Sequence, residues 1–130
     1  MVKRYLPGPK PEEIKIWRSK EFNIDNGSTT TDDDVWAPPG EIKVVGVRAV
    51  YTEASDSSME AANFKVGTAV GGAQIVAATD LEEAKSVGTY TDATIVEGAG
   101  VVLADGILAV RHTGIATTQV GKYRVQIEYL

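Results

Sequence analysis

A chain of 130 residues, with 43% hydrophobic and 24% charged residues, is long enough to bury one core and too short for two. It contains no cysteine, which excludes a disulfide framework, a thiolate zinc site and a cysteine nucleophile, and suits a reducing cytoplasm. The net charge is −5 and no apolar run reaches a membrane-spanning length, so we expect a soluble protein without a membrane partner.

Charge is distributed unevenly along the chain. Residues 1–20 carry six basic and two acidic side chains, a net charge of +4, whereas residues 21–34 carry five acidic side chains and no basic one. The remainder is acidic as well. Because an acidic body repels phosphate backbones, we expect no nucleic-acid partner.

The N-terminal region reads as an extended arm. Pro7, Pro9 and Pro11 favour a polyproline-like course, and the even spacing of Ile14 and Ile16 indicates extended segments that pair with another element. The stretch "DNGSTTTDDD" is typical of a polar turn or mobile loop. In "VWAPPGEIK" two prolines and a glycine interrupt the pattern, so we predict an arm over residues 1–39 and a body over residues 40–130.

The body reads as strands. In "EIKVVGVRAVY" the alternation places Val45, Val47, Ala49 and Tyr51 on one face, as in a central, mostly buried strand. "DLEEAKS" predicts a helix of about two turns that begins at Asp80.

The last segment, "GKYRVQIEYL", alternates most regularly. Tyr123, Val125, Ile127 and Tyr129 fall on one face, and charged or polar residues fall on the other. Short strands separated by glycine turns, with at most one short helix, predict an all-β protein: a compact antiparallel β-sandwich or barrel with an extended N-terminal arm.

The single histidine, His112, lies in "AVRHTGIA" with no second histidine nearby. Zinc and iron sites use three or four ligands, commonly several histidines or cysteines. We therefore interpret Arg111 and His112 as residues at a strand end near a turn, one of which faces solvent.

Three other stretches resemble chemical motifs only superficially. The aspartates of "TTTDDD" are adjacent and lack the frame of a calcium loop, so we expect a solvated acidic loop. "GTAVGGA" lacks the lysine and the following helix of a phosphate loop and fits hairpin turns. Ser55, Ser57 and Ser58 lack the setting of a nucleophile. We predict no catalytic residue, no cofactor and no metal, and hence no enzyme.

Trp17 and Trp36 lie in the arm or at its junction with the body. Large aromatic side chains anchor interfaces more often than other residues, but the two tryptophans also suit packing on this protein's own sheet. A third interpretation is stacking on a sugar.

Residues 42–130 resemble the head decoration (cement) proteins of tailed bacteriophages. The resemblance lies in the order of "IKVVGVRAVYTEAS", "ANFKVGTAVGGAQIVAATDL" and "VVLADGILAVRHTGIATTQVGKYRVQIEYL", in which a small-residue turn leads to an apolar strand, a Gly/Thr-rich loop and a terminal strand. It covers about two-thirds of the chain.

The resemblance implies a virion protein, made in the host bacterial cytoplasm, that binds the major capsid protein on the outside of the shell as a homotrimer and stabilises it. An extended arm suits strand addition to a neighbour, with aromatic anchors and charge pairs. The predicted interface residues are Lys3, Arg4, Lys10, Lys15, Trp17, Arg18, Lys20 and Trp36. The alternatives are a carbohydrate-binding module on a virion exterior and a head-tail or tail structural protein.

Overall fold

The computed structural model describes residues 13–24, 31–56, 62–114 and 120–130, and these contain strands but no helix. No described helix is therefore available to span a membrane. The described residues form ten strands: β1 (Lys15–Arg18), β2 (Phe22–Asn23), β3 (Thr31–Trp36), β4 (Ile42–Glu53), β5 (Asn63–Gly67), β6 (Val76–Asp80), β7 (Tyr90–Ala93), β8 (Val101–Val102), β9 (Leu108–Thr113) and β10 (Lys122–Tyr129).

The strands form two antiparallel sheets packed face to face. Sheet A has the order β1, β10, β4, β7, with β2 also paired to β10 and β8 also paired to β4. Sheet B has the order β3, β9, β5, β6. The predicted all-β antiparallel fold is confirmed, and of the two predicted forms, sandwich and barrel, the structure has the sandwich.

The core lies between the sheets and is built from alternate residues of their strands. On β10, Tyr123, Val125 and Ile127 are fully buried, and Tyr129 is partly buried, as the alternation predicts. From sheet B, Phe64 and Val66 of β5 meet them. One inner face of each sheet therefore supplies the core.

Strand β4 contains a bulge that shifts its alternation. Glu128 of β10 pairs with Gly46, and the next residue, Tyr129, pairs with Val44, so Val45 is an extra residue on β4. Val44 and Val47 are buried, whereas Val45 is 38% exposed. The prediction that Val45 shares the buried face of Val47 is therefore wrong, because a bulge places two successive residues on the outer side.

The predicted helix at Asp80 is also wrong. Asp80 ends β6, opposite Asn63, and residues 81–86 form an irregular loop in which Ala84 has a left-handed φ of 55°. A two-turn helix is expensive to nucleate in isolation. Tertiary hydrogen bonds satisfy this backbone instead: the Lys85 N–H donates to Ser55 Oγ at 2.8 Å, and the Glu82 N–H donates to Tyr51 Oη at 2.9 Å.

Residues from the predicted arm take part in both sheets. β1 and β2 pair with β10 of sheet A, and β3 pairs with β9 of sheet B. Between β1 and β2, Ser19 continues the pairing: its N–H donates to the Val125 carbonyl at 2.9 Å, and its Oγ accepts from the Val125 N–H at 2.8 Å. Residues 1–12 lie outside the described residues, and an extended arm there stays a prediction.

Candidate interaction site

Trp17 and Trp36 meet at the side of the sandwich where β1 and β3 run. Trp17 comes from sheet A and Trp36 from sheet B; their rings stack with centroids 5.2 Å apart and an interplanar angle of 7°. Tyr129 lies against Trp36 at 5.0 Å, and all three side chains are partly buried against the core. This cluster joins the two sheets through their outermost N-terminal strands.

The packing of the tryptophans bears on the sugar-binding interpretation. A sugar platform needs an aromatic face open to solvent. Here the two indoles cover one face of each other, and Tyr129 also contacts Trp36. The cluster thus has the geometry of an intramolecular contact, and nothing in it favours a glycan ligand.

The predicted basic interface residues are distributed over two environments. Lys15 and Arg18 are exposed on β1, an outer strand of sheet A. Lys20 is engaged within the chain: its Nζ lies 2.6 Å from Asp32 Oδ1, and its N–H donates to Asp34 Oδ2 at 2.7 Å. Lys3, Arg4 and Lys10 lie outside the described residues.

The acidic run belongs to a strand, so the expectation of a solvated loop is wrong for Asp32, Asp33 and Asp34. Pairing with β9 places Asp33 opposite Arg111, and Asp33 accepts two hydrogen bonds from the guanidinium at 2.8 and 3.0 Å. These bonds lower the pKa of the Asp33 carboxyl and raise that of Arg111. Within the described ranges, no three histidine or acidic side chains come together as a metal site.

His112 is fully buried near the end of β9, while Arg111 beside it reaches the surface, as predicted. The Nδ1 atom of His112 lies 2.6 Å from the hydroxyl of Tyr123 on the opposite sheet. The ring of Phe22 lies over the imidazole, with 5.9 Å between the ring centroids. Among the described residues, Nε2 of His112 has no hydrogen-bond partner. The pair is a polar contact between the sheets, and its burial keeps the imidazole away from any substrate.

The hydrogen bond between Tyr123 and His112 leaves the fewest buried polar groups unpaired when the Tyr123 hydroxyl donates to an unprotonated Nδ1. This arrangement leaves one orphan, the Nε2–H, whereas the reverse leaves both the phenol proton and the Nε2 lone pair without a partner. Burial lowers the pKa of His112 to about 4 and raises that of Tyr123 well above its ordinary value. The pair is therefore neutral at physiological pH.

The remaining superficial motifs have structural roles. The glycine-rich stretch connects β5 to β6, and a Cβ at Gly67 would come within 2.4 Å of the Gly72 backbone. Ser55 is buried and bonds two residues of the 81–86 loop: its Oγ donates to the Glu82 carbonyl at 2.9 Å and accepts from the Lys85 N–H. Ser57 and Ser58 lie outside the described residues.

No protein-family model matches the chain, and a search of curated proteins gave no match. A chain of the cyanophage Pam1 capsid asymmetric unit has the same fold, with a TM-score of 0.60 at 20% sequence identity. The match covers 98% of this chain and 92% of that one. The two chains therefore share an architecture over almost their entire lengths.

Proposed function

We propose that this protein is a structural component of a bacteriophage virion that binds the outer surface of the capsid shell and stabilises it as a homotrimer. The observation that carries the proposal is the fold shared, over nearly the whole of both chains, with a chain of a phage capsid asymmetric unit. The role needs an interaction surface and no catalytic group. The major capsid protein is the proposed partner.

The exposed outer strand β1 supports a specific mode of binding. It pairs with β10 on one side. Its exposed side chains Lys15 and Arg18 are in no ion pair of the described residues, whereas Lys20 pairs with Asp32. An outer strand offers backbone groups to an additional strand, and basic side chains attract an acidic partner. We infer that β1 and the basic residues N-terminal to it meet the shell.

Trp17 and Trp36 support the β1 surface from within the sandwich. Their stack holds β1 of sheet A against β3 of sheet B. The proposed role of the tryptophans is therefore to fix the position of the binding strand, because a rigid strand loses less conformational freedom on binding than a mobile one.

The test is co-sedimentation of the protein with expanded and unexpanded shells of the phage that encodes it, with its solution mass measured by light scattering. We expect saturable binding to expanded shells and a trimeric mass. Absence of binding to both shells contradicts the proposal, and incorporation only at the neck or tail points to the head-tail alternative.

A charge-reversal variant tests the surface. Lys15→Glu with Arg18→Glu should weaken shell binding by roughly tenfold or more, equivalent to about 1.4 kcal/mol. Lys122→Glu, at the opposite end of β10, is the control and should bind as the unaltered protein does. Equal affinities for the double variant and the control would remove β1 from the interface.

A further inference from the structure

Two arginines on the outer face of sheet A have no acidic partner among the described residues. The structure describes four arginines, and two of them, Arg48 and Arg111, form ion pairs with aspartates. Arg18 and Arg124 are exposed, and neither forms an ion pair within the described part of the chain. We call Arg18 and Arg124 the arginine pair.

Strand register brings the arginine pair together. Arg18 of β1 lies directly opposite Gln126 of β10, and Arg124 lies two residues before Gln126 on the same strand. Because Val125 and Ile127 between and beyond them are buried in the core, alternation places Arg18, Arg124 and Gln126 on the outer face. Diagonal neighbours of this kind lie about 7–8 Å apart on a sheet. The two long side chains therefore serve one common surface around Gln126.

A hydrogen bond fixes the position of the Arg124 guanidinium. Its Nη1 donates to the Ser19 carbonyl at 3.1 Å, and Ser19 is buried and bonded to Val125 through its N–H and its Oγ. Ser19 follows Arg18 in the chain, so this bond holds Arg124 beside Arg18. The other N–H donors of the Arg124 guanidinium have no partner among the described residues. A side chain that is already positioned loses less conformational freedom when it binds a ligand.

The acidic side chains of the same sheet do not neutralise the arginine pair. The described strands of sheet A contain three acidic residues, and all three form ion pairs with other basic residues: Glu53 with Lys122, and Asp92 and Glu128 with Arg48. Glu21, between β1 and β2, accepts a hydrogen bond from Thr52 Oγ1 at 2.7 Å. The arginine pair is thus a local positive patch on a chain whose net charge is −5.

The chemistry of the patch selects carboxylates on a protein partner. A guanidinium group binds a carboxylate or a phosphate through two parallel N–H···O bonds. A nucleic acid brings a long run of negative charge, which the acidic remainder of the chain repels, whereas two carboxylates meet only the local patch. In an extended segment, alternate side chains lie on one side at about 6.8 Å from each other, which is close to the diagonal spacing of the pair.

We propose that Arg18 and Arg124 form a binding site for an acidic, extended segment of a partner protein. Two carboxylates at alternate positions of that segment each take one guanidinium, and the Gln126 amide between them is a further hydrogen-bond donor. In the virion the segment belongs to the shell, and this step rests on the proposed function. The site sets the outer face of sheet A, in addition to the free edge of β1, against the partner.

Titration of the full chain with hexaglutamate tests the site without a shell. The Nε–Hε signals of Arg18 and Arg124 should shift in NMR spectra at low ionic strength, and that of Arg111 should not. Arg18→Gln with Arg124→Gln should weaken hexaglutamate binding roughly five- to tenfold. The control, Lys43→Gln with Lys65→Gln, removes the same charge from β4 and β5 and should weaken binding by less than about twofold.

Three results would overturn the site. Equal losses in the two double variants would show diffuse attraction by net charge. Tighter binding of an oligothymidylate of the same net charge would assign the patch to nucleic acid. Arg18→Gln alone guards against misfolding, because Arg18 has no hydrogen bond or ion pair among the described residues. It should keep the urea midpoint and weaken binding roughly two- to threefold, and unchanged binding is the third such result.

Co-sedimentation with shells separates this site from the proposed function. Arg124 lies on β10 and not on the outer strand, so Arg124→Gln should weaken binding to expanded shells roughly two- to threefold only where the outer face of sheet A meets the shell. Equal shell binding by this variant and the unaltered protein would overturn the site in the virion and leave the proposed function intact. Absence of shell binding, with hexaglutamate binding retained, would contradict the proposed function and leave the site intact.

Discussion

The imidazole of His112 is a neutral polar group in an apolar setting, linked across the sandwich to Tyr123. One hydrogen bond to the phenol is not enough to hold a charged imidazole, since Nε2 has no partner in the described part of the chain that would stabilise a second proton. Asp32, opposite His112 in the β3–β9 pairing, favours the charged form only weakly against this burial. The fold therefore holds the imidazole neutral.

This predicts a specific loss of stability in acid. The pKa of His112 is about 4 in the fold, against 6.5 for the ordinary side chain, so the unfolded chain takes up the proton first. The free energy of unfolding should be unaffected by this group above pH 6.5 and should fall as the pH drops towards 4, by about 3 kcal/mol in total.

The matched variant is His112→Gln, which can accept the Tyr123 proton but does not titrate. Urea unfolding of both proteins between pH 7.5 and pH 4 gives the difference, because the carboxylates contribute to both. The unaltered protein should lose more stability than the variant over this interval. Parallel curves would show that His112 does not titrate on unfolding.

The loop over residues 81–86 shows how a segment is ordered by its neighbours. The Glu82 N–H donates to Tyr51 Oη, which lies 2.7 Å from Thr91 Oγ1, and that hydroxyl donates to Glu82 Oε1 at 2.8 Å. The three residues thus form a closed ring of hydrogen bonds in which Tyr51 is the donor to Thr91. Ser55 secures the other end of the loop.

Removal of the Ser55 hydroxyl should lower the free energy of unfolding more than a substitution in a surface loop usually does. Ser55→Ala leaves the Lys85 N–H and the Glu82 carbonyl without their acceptor and donor, which should lower the free energy of unfolding by about 1–2 kcal/mol. Ser86→Ala, exposed in the same loop, is the control and should change it by less than about 0.5 kcal/mol. Equal effects of the two substitutions in urea unfolding would refute this role.

The whole molecule is held together by strands from distant parts of the chain. β10, the last strand, lies between β1 and β4, and β9 lies between β3 and β5. The N-terminal strands are thus bonded to C-terminal strands in both sheets, and the Trp17–Trp36 stack joins them at one side.

We therefore expect the described fold to unfold in one step. Tryptophan fluorescence reports on the β1–β3 side, and far-UV circular dichroism reports on all strands, so their urea midpoints should coincide. Trp17→Phe, which leaves Trp36 as reporter, should keep the two midpoints together at a lower urea concentration. An earlier fluorescence transition in the unaltered protein would show that residues 15–36 unfold as a separate unit, in line with the predicted boundary at residues 39 and 40.

Local sequence patterns were sufficient to predict that the fold is all-β. The alternation from Tyr123 to Tyr129 predicted the buried face of β10, because a strand with one wet side needs period-two hydrophobicity. The glycine turns and the scarcity of helical periodicity predicted an antiparallel sandwich or barrel, without deciding between them. The lone histidine, without companions in the sequence, was interpreted as structural, and its burial agrees with that interpretation.

Other features depended on contacts between distant residues. The bulge at Val45 arises from register with β10, and the 81–86 loop is fixed by Tyr51 and Ser55 some thirty residues earlier. The aspartates of β3 lie in a strand because β9 pairs with its backbone and supplies Arg111 as the partner of Asp33. Composition and periodicity thus determined which segments extend and which faces are apolar, since these depend on neighbouring residues. Tertiary structure alone decided which strands pair and where the tryptophans meet, because both depend on long-range register that no local pattern encodes.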